Sequence, residues 1–321
     1  MDPLTVLVLT AKDDPSLRLL DPAPEGVRFV VGQRPEELGE AAARAEVLYL
    51  ISGGRAALEP VFARAPRVRW VHVGWAGLDG VLFPGLIESP VPVTNARGVF
   101  SQSLAEFVIA AILFYAKDLR RMLQAQAAGR WEPFEVEEIH GQSVGILGYG
   151  DIGRSVAERA KALGMRVFAE RRDPRAARDA FLDGAFAPER RRELVAQSDY
   201  VVLALPATPE TRSLFGAGEI AAMKPTAVLV NVGRGSTVDE PALVRALEER
   251  RIRGAALDVF EAEPLPADHA FYRLDNVLVS PHTADRTATW RDEAMRLFLA
   301  NLECFRKDEP LANVIDKGKG Y

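Results

Sequence analysis

The sequence predicts an α/β protein made of two doubly wound parallel-sheet domains. Short apolar runs of strand length alternate with polar helical patterns along the whole chain, the rhythm of strand–helix–strand units. One such unit contains a glycine turn between its first strand and its helix. The length, 321 residues, suits two domains better than one.

In the first 97 residues the candidate strands are 5–9, 27–31, 47–51, 68–73 and 91–94, and the candidate helices are 35–44 and 56–65. Gly74-Trp75-Ala76-Gly77 follows a strand. Its turn either offers backbone N–H groups to a substrate carboxylate or is a plain turn with Trp75 in the core. Asn95-Ala96-Arg97-Gly98 is a breaker cluster suited to a crossover between domains. Residues 101–122 read as one long helix, capped by Ser101 or by Ser103 with Glu106 three residues on. Its middle, 107–115, is apolar nearly all round, so it either threads the core or is covered by a second subunit. The second option is preferred, which makes a homodimer the expected assembly.

Residues 143–147 form the next strand, Gly148-Tyr149-Gly150-Asp151-Ile152-Gly153 the turn, 154–163 a helix and 165–169 a strand. Gly148 permits the tight turn, Gly150 lets backbone approach a pyrophosphate, and Gly153 seats the helix against the strand. With Asp151 and Ile152 these residues open a helix whose N–H groups and partial positive charge suit phosphates. A carboxylate at the end of the second strand normally holds the adenosine ribose. Here Arg171 occupies that position, followed by Arg172, and Glu170 stands one place early. Two guanidiniums suit a 2′-phosphate, unless they belong to a solvated loop. Glu170 either points away or holds a ribose hydroxyl. The expected cofactor is NADP, with NAD as the other possibility.

Beyond this unit, helices are expected at 190–197, 218–223, 241–250 and 287–306, and strands at 199–205, 227–232, 254–259 and 277–280. The last four strands share a sheet with the glycine turn, and their ends carry polar residues that apolar strands do not need. Pro206, Val232 and Gly233 lie along the edge where a nicotinamide would sit, and Asp258 is placed to accept from its carboxamide. Arg234 is always charged, and its fork fits a carboxylate or polarises a carbonyl. His282 suits proton delivery, because histidine ordinarily titrates near pH 6.5. Glu263 is suited to hold the other imidazole nitrogen, with Glu261 as competitor. The plainer alternatives are a surface arginine and a satisfied buried histidine.

Composition narrows the classes. With 40 basic and 45 acidic residues the net charge is −5 and no basic stripe exists, so nucleic acid is not an expected partner. The longest apolar run, 107–116, is too short for a membrane span. The apolar run 4–10 lacks the basic flank of a signal peptide and reads as a first strand. A single cysteine, Cys304, excludes an internal disulfide and fits a reducing cytoplasm. No metal-ligand spacing is present, so no metal is expected.

Five segments together resemble the D-isomer-specific 2-hydroxyacid dehydrogenases, which include glyoxylate/hydroxypyruvate reductases: 144–164, 199–212, 228–240 (VLVNVGRGSTVDE), 254–266 (GAALDVFEAEPLP) and 276–284 (NVLVSPHTA). The resemblance implies a flavodoxin-like substrate-binding domain at 1–98 and 284–321. It implies a Rossmann-type dinucleotide-binding domain at 99–283, with a dimerisation helix at 101–122 and the active site in the cleft. Arg234, Glu263 and His282 take the catalytic positions, Asp258 the nicotinamide-contacting position, and Trp75-Ala76-Gly77 the substrate-carboxylate loop. The implied reaction passes hydride between NADP(H) or NAD(H) and a small 2-keto acid/D-2-hydroxy acid pair. Alternatives are a dinucleotide-sensing scaffold on the same fold and a dehydrogenase for formate or phosphite. Two departures stand out: Arg171 replaces the family's commoner aspartate, and Asp285 stands where small residues often follow the histidine motif.

Overall fold

The computed structural model describes residues 2–174 and 179–320. Two compact units emerge, residues 1–99 with 287–321 and residues 100–286. Both are parallel-sheet α/β units, as predicted.

The first unit runs β1 (Leu4–Leu9), β2 (Val27–Val31), α1 (Pro35–Leu38), α2 (Ala41–Arg44), β3 (Val47–Leu50), α3 (Gly54–Phe62), β4 (Trp70–Val73), α4 (Pro84–Glu88) and β5 (Val93–Asn95). Its five strands lie in the order β2-β1-β3-β4-β5, every pair parallel. Alternate residues feed two cores. Leu7, Leu9, Leu48, Leu50, Val71 and Val73 fill one. Val6, Val8, Val47, Tyr49 and Trp70 fill the other. Burial on both faces is why these strands read as continuous apolar runs. The single helix expected at 35–44 is two short ones, because Gly39 turns into left-handed backbone (φ 52°) between them.

Within the second core, Trp70 Nε1 donates to Thr94 Oγ1 (2.8 Å), so the hydroxyl proton is free to donate to His72 Nδ1 (2.7 Å). His72 is fully buried, and its Nε2 has no partner among the described residues. Burial pushes this imidazole down to about 3, so it is neutral when folded. The unfolded chain takes up the proton at about pH 6.5. Stability from this group is therefore complete above pH 6.5 and drains away between pH 6.5 and 3. Denaturant titrations of wild type and His72→Leu should show wild type losing up to about 1.4 kcal/mol more per pH unit below pH 6. Parallel pH profiles for the two proteins would contradict this.

The second unit begins with α5 (Ser101–Ala116) and α6 (Leu119–Ala127). The one helix expected at 101–122 is thus broken at Lys117–Asp118. Asp118 adopts left-handed backbone (φ 46°), and its carboxylate accepts from the Arg121 N–H to start α6. Neither candidate serine caps α5: Phe100 is the N-cap residue, and Ser103 Oγ donates instead to the Ala284 carbonyl (2.5 Å). One face of α5 packs on α7 (Asp151–Ala162). Tyr115 anchors its end, with its hydroxyl bound to the Ala255 and Asn276 carbonyls (2.7 and 2.9 Å). Phe107, Ile109, Leu113 and Phe114 stay half-exposed.

The remaining elements are β6 (Ser143–Leu147), β7 (Arg166–Glu170), β8 (Gly184–Phe186), α8 (Arg191–Gln197), β9 (Tyr200–Leu203), α9 (Ala217–Ala222), β10 (Val228–Asn231), α10 (Glu240–Glu248), β11 (Gly254–Leu257) and β12 (Val277–Val279). The sheet is wholly parallel, in the order β12-β11-β10-β9-β6-β7-β8. Strand order reverses at β6 and β9, and in such sheets the crevice beyond the strand ends at that point takes the ligand. The chain then returns to the first unit as α11 (Trp290–Arg306), whose Met295, Phe298 and Leu302 close the second core there. Phe298 stacks on Tyr49 at 4.1 Å, and burying such a ring contributes roughly 2–3 kcal/mol. Among the described residues no helix is long and apolar enough to cross a membrane.

Candidate active site

The glycine turn sits at the end of β6. Gly148 is left-handed (φ 96°), and a Cβ there would lie 2.5 Å from the Ala204 carbonyl oxygen. A Cβ on Gly153 would come within 2.3 Å of the Gly148 oxygen. Both positions therefore need glycine. Gly150 is different: a Cβ there would meet nothing within 4 Å, so the turn is open on that side. Gly150 also starts α7 without a side-chain cap, which leaves the first-turn N–H donors facing the opening. Ile152 is half-buried and Asp151 exposed. Backbone donors beside open space are what a pyrophosphate requires, so these residues fit a dinucleotide.

At the end of β7, the alternatives for Glu170 separate. Its carboxylate is forked by Arg191 at the start of α8, Nε to Oε2 at 2.6 Å and Nη2 to Oε1 at 3.1 Å. The guanidinium of Arg171 lies over the Tyr149 ring, 5.7 Å from its centroid, and so beside the glycine turn. Arg172 is exposed. Sequence reasoning missed Arg191; its only signal was a basic run, 190–192, opening a helix.

The polar strand ends gather on three neighbouring strands, β10, β11 and β12. Asn231, fully buried at the end of β10, accepts from the Gly233 N–H (3.1 Å) and donates to the Arg234 carbonyl (3.1 Å). That carbonyl also accepts from Thr237 Oγ1 (2.6 Å), and Arg234 Nη1 donates to Gly233 (2.8 Å). A Cβ on Gly235 would fall 1.9 Å from the Phe260 carbonyl carbon, so the turn after Arg234 is pressed against the chain leaving β11. A Cβ on Gly233 would strike Leu205, just before Pro206, at 2.6 Å; the ends of β9 and β10 meet there, beside Val232. Asn231 was also missed; its signal was one amide in an otherwise apolar strand.

Asp258, buried just after β11, collects three donors on Oδ1: Ser280 Oγ (2.5 Å), Thr283 N–H (2.9 Å) and Ala284 N–H (3.1 Å). Its own carbonyl accepts the His282 N–H at 2.9 Å. These bonds shape the turn after β12 and hold His282 in left-handed backbone (φ 49°), a conformation that costs a non-glycine residue roughly 1–2 kcal/mol. His282 Nδ1 lies 2.7 Å from Glu263 Oε2, and Glu263 Oε1 accepts the Phe260 N–H (3.0 Å). Glu261, the competitor, goes instead to Arg212 (3.0 Å). Burial pushes the Asp285 carboxyl up; the His282 side chain opposes the rise and Asp258 adds to it. Of the other histidines, His269 pairs with Glu240 at 3.2 Å. Among the described residues no three His, Cys, Asp or Glu side chains cluster as metal ligands.

In the first unit, the Trp75 and Ala76 carbonyls accept from the Ala96 N–H (3.2 Å) and Asn95 Nδ2 (2.7 Å). The N–H groups of Trp75, Ala76 and Gly77 make no backbone hydrogen bond among the described residues. The Trp75 ring is half-buried against the β4 core.

Comparison with known proteins bears on the family and the fold. Residues 109–284 match the family described as D-isomer specific 2-hydroxyacid dehydrogenase, NAD binding domain. A glyoxylate reductase of Thermococcus gammatolerans is 37% identical over 80% of this chain and 79% of its own. Among the similar solved structures, two are matched over nearly the full length of this chain. A D-isomer specific 2-hydroxyacid dehydrogenase of Xanthobacter autotrophicus, in complex with NADPH and MES, has a TM-score of 0.84 at 31% identity, over 99% of this chain and 100% of that one. An NADPH-dependent glyoxylate/hydroxypyruvate reductase of Sinorhizobium meliloti, in complex with NADP and sulfate, also scores 0.84, at 25% identity, over 99% of this chain and 100% of that one. The chain belongs to the D-isomer-specific 2-hydroxyacid dehydrogenases, as an NAD(P)-dependent oxidoreductase of the glyoxylate/hydroxypyruvate reductase type.

Proposed function

We propose that this enzyme reduces a small 2-keto acid to the D-2-hydroxy acid with NADPH in preference to NADH, using His282 as the acid. The observation that carries the reading is the 2.7 Å contact between His282 Nδ1 and Glu263. With Nδ1 held, Nε2 is the ring atom left to give a proton to the oxygen of the reduced carbonyl. The dinucleotide supplies a hydride when bound, held by Gly148, Gly150, Asp151, Ile152 and Gly153 and by the edge at Pro206, Val232 and Gly233. Oδ1 of Asp258 already has three donors, so contact with a nicotinamide carboxamide falls to Oδ2. Arg171 and Arg172 take the 2′-phosphate, and the NADP complexes of two structural relatives support that choice. Arg234 binds the substrate carboxylate and polarises the carbonyl. Trp75-Ala76-Gly77 offers N–H donors to a substrate carboxylate, which makes residues 1–98 and 284–321 the substrate-binding part and 99–283 the dinucleotide-binding part.

The half-exposed apolar face of α5, with exposed Met122, Leu123 and Trp131, supports a homodimer built on 101–122 and its continuation. A cytoplasmic setting is supported by the single, half-buried cysteine. The test is kcat/KM for NADPH and NADH with glyoxylate, hydroxypyruvate and larger 2-keto acids, with formate and phosphite as controls, and chiral analysis of the product. Equal efficiency with both cofactors would remove the 2′-phosphate role of the arginines, and an L-product would remove the whole reading.

Glu263→Gln is expected to lower kcat roughly 10- to 100-fold with little change in NADPH affinity, because the amide still reaches Nδ1 but no longer stabilises an imidazolium. A kcat within twofold of wild type in steady-state assays would show that Glu263 only fills space.

A further inference from the structure

We propose that Arg191 sets the cofactor preference by holding Glu170 away from the adenosine ribose; this rests on the NADPH reading above. Glu170 is the last residue of β7, the strand end from which a carboxylate would accept a ribose 2′-hydroxyl and repel a 2′-phosphate. Both carboxylate oxygens are instead occupied by the Arg191 fork. The side chains are 9% exposed for Glu170 and 15% for Arg191, so neither charge has water as a ready alternative partner. Arg191 is also the one member of its basic run committed to this strand. Arg190 pairs with Glu193 and Arg192 with Glu219.

The consequence is electrostatic. With Glu170 neutralised from the α8 side, the strand end presents Arg171, beside the glycine turn, and Arg172 to the ligand. Removing the fork releases one carboxylate next to those guanidiniums. It would compete for them and repel the added phosphate, while gaining the capacity to accept a hydroxyl. Arg191 is thus a positioning residue: it acts on the cofactor through Glu170.

Binding of 2′,5′-ADP and of 5′-AMP, measured calorimetrically on the full chain, isolates the 2′-phosphate without turnover. Wild type is expected to favour 2′,5′-ADP by at least about tenfold, and Arg191→Met to reduce that ratio by about tenfold. Glu170→Gln should keep the wild-type ratio, and Glu170→Gln/Arg191→Met should restore it to within about threefold, a reversal that a loss of structure would not produce. If Arg191→Met does not fold, Arg191→Lys keeps the charge without the fork and should lower the ratio about threefold. A wild-type ratio retained by Arg191→Met, by Arg191→Lys in its place, or lost equally in the double variant overturns the proposal. A wild type that does not distinguish the two ligands overturns the NADPH reading itself, and this inference with it.

Discussion

With His282 replaced by alanine, kcat for keto-acid reduction is expected to fall by about 10²–10⁴-fold, the range for a positioned general acid, while NADPH affinity stays within about twofold. The affinity is spared because the glycine turn proposed to hold the pyrophosphate follows β6, and His282 follows β12 at the far side of the sheet. The loss is large because the imidazole has been fixed from three directions. Its backbone N–H is tied to Asp258, its turn is closed by donors to the Asp258 carboxylate, and its Nδ1 is set by Glu263. A left-handed histidine is a strained choice that persists only where the surroundings over-determine it, and such sites are commonly functional. Alanine at φ 49° adds strain of its own, so His282→Asn, which tolerates that backbone, serves as a second variant. Both should lose turnover alike, with substrate-independent cofactor binding read by fluorescence titration. Turnover within a few-fold of wild type in His282→Asn would take proton delivery away from this residue.

The parts of this enzyme that were readable in its sequence are those where a local rule and the tertiary fold make the same demand. Gly148 and Gly153 are forced by carbonyl oxygens 2.5 and 2.3 Å from where a Cβ would sit, so their spacing is a steric record of the turn. Arg234, Asp258 and His282 stood out because each interrupts or follows an apolar run, and the fold brings all three to the ends of neighbouring strands, with Asp258 buried and fully hydrogen-bonded on one oxygen. What stayed hidden depends on partners far apart in the chain. The break between α5 and α6 falls in a pattern that reads as continuous helix, and Asp118 breaks it by backbone conformation. Glu170 finds Arg191 across 21 residues, a pairing that no local periodicity encodes. Whether Glu261 or Glu263 meets His282 is decided by where the chain after β11 turns, with Glu263 pinned by the Phe260 N–H and Glu261 drawn to Arg212. The strand β8 is three residues long at the sheet edge, too short to carry an alternating pattern.

Arg234→Ala is expected to be the other severe change, and of a different kind: kcat falls by about 10²–10³-fold, as when a preorganised donor to a developing oxyanion is removed, and KM for the keto acid rises as well. On the proposed reading the split follows from one fork serving two oxygens. A contact with the substrate carboxylate made equally in ground and transition state would show in KM. A contact with the carbonyl oxygen that strengthens as charge develops would show in kcat. Preorganisation is visible in the backbone, where the Arg234 carbonyl is held by Asn231 and Thr237 and the following Gly235 is locked against Phe260. Arg234→Lys tests the fork itself. A lysine keeps the charge but offers a point contact, so it should recover part of KM and little of kcat. If Arg234→Ala raised KM alone, with kcat unchanged under saturating keto acid, the guanidinium would be a carboxylate anchor and the carbonyl would have to be polarised by another group, with His282 the nearest candidate by chemistry.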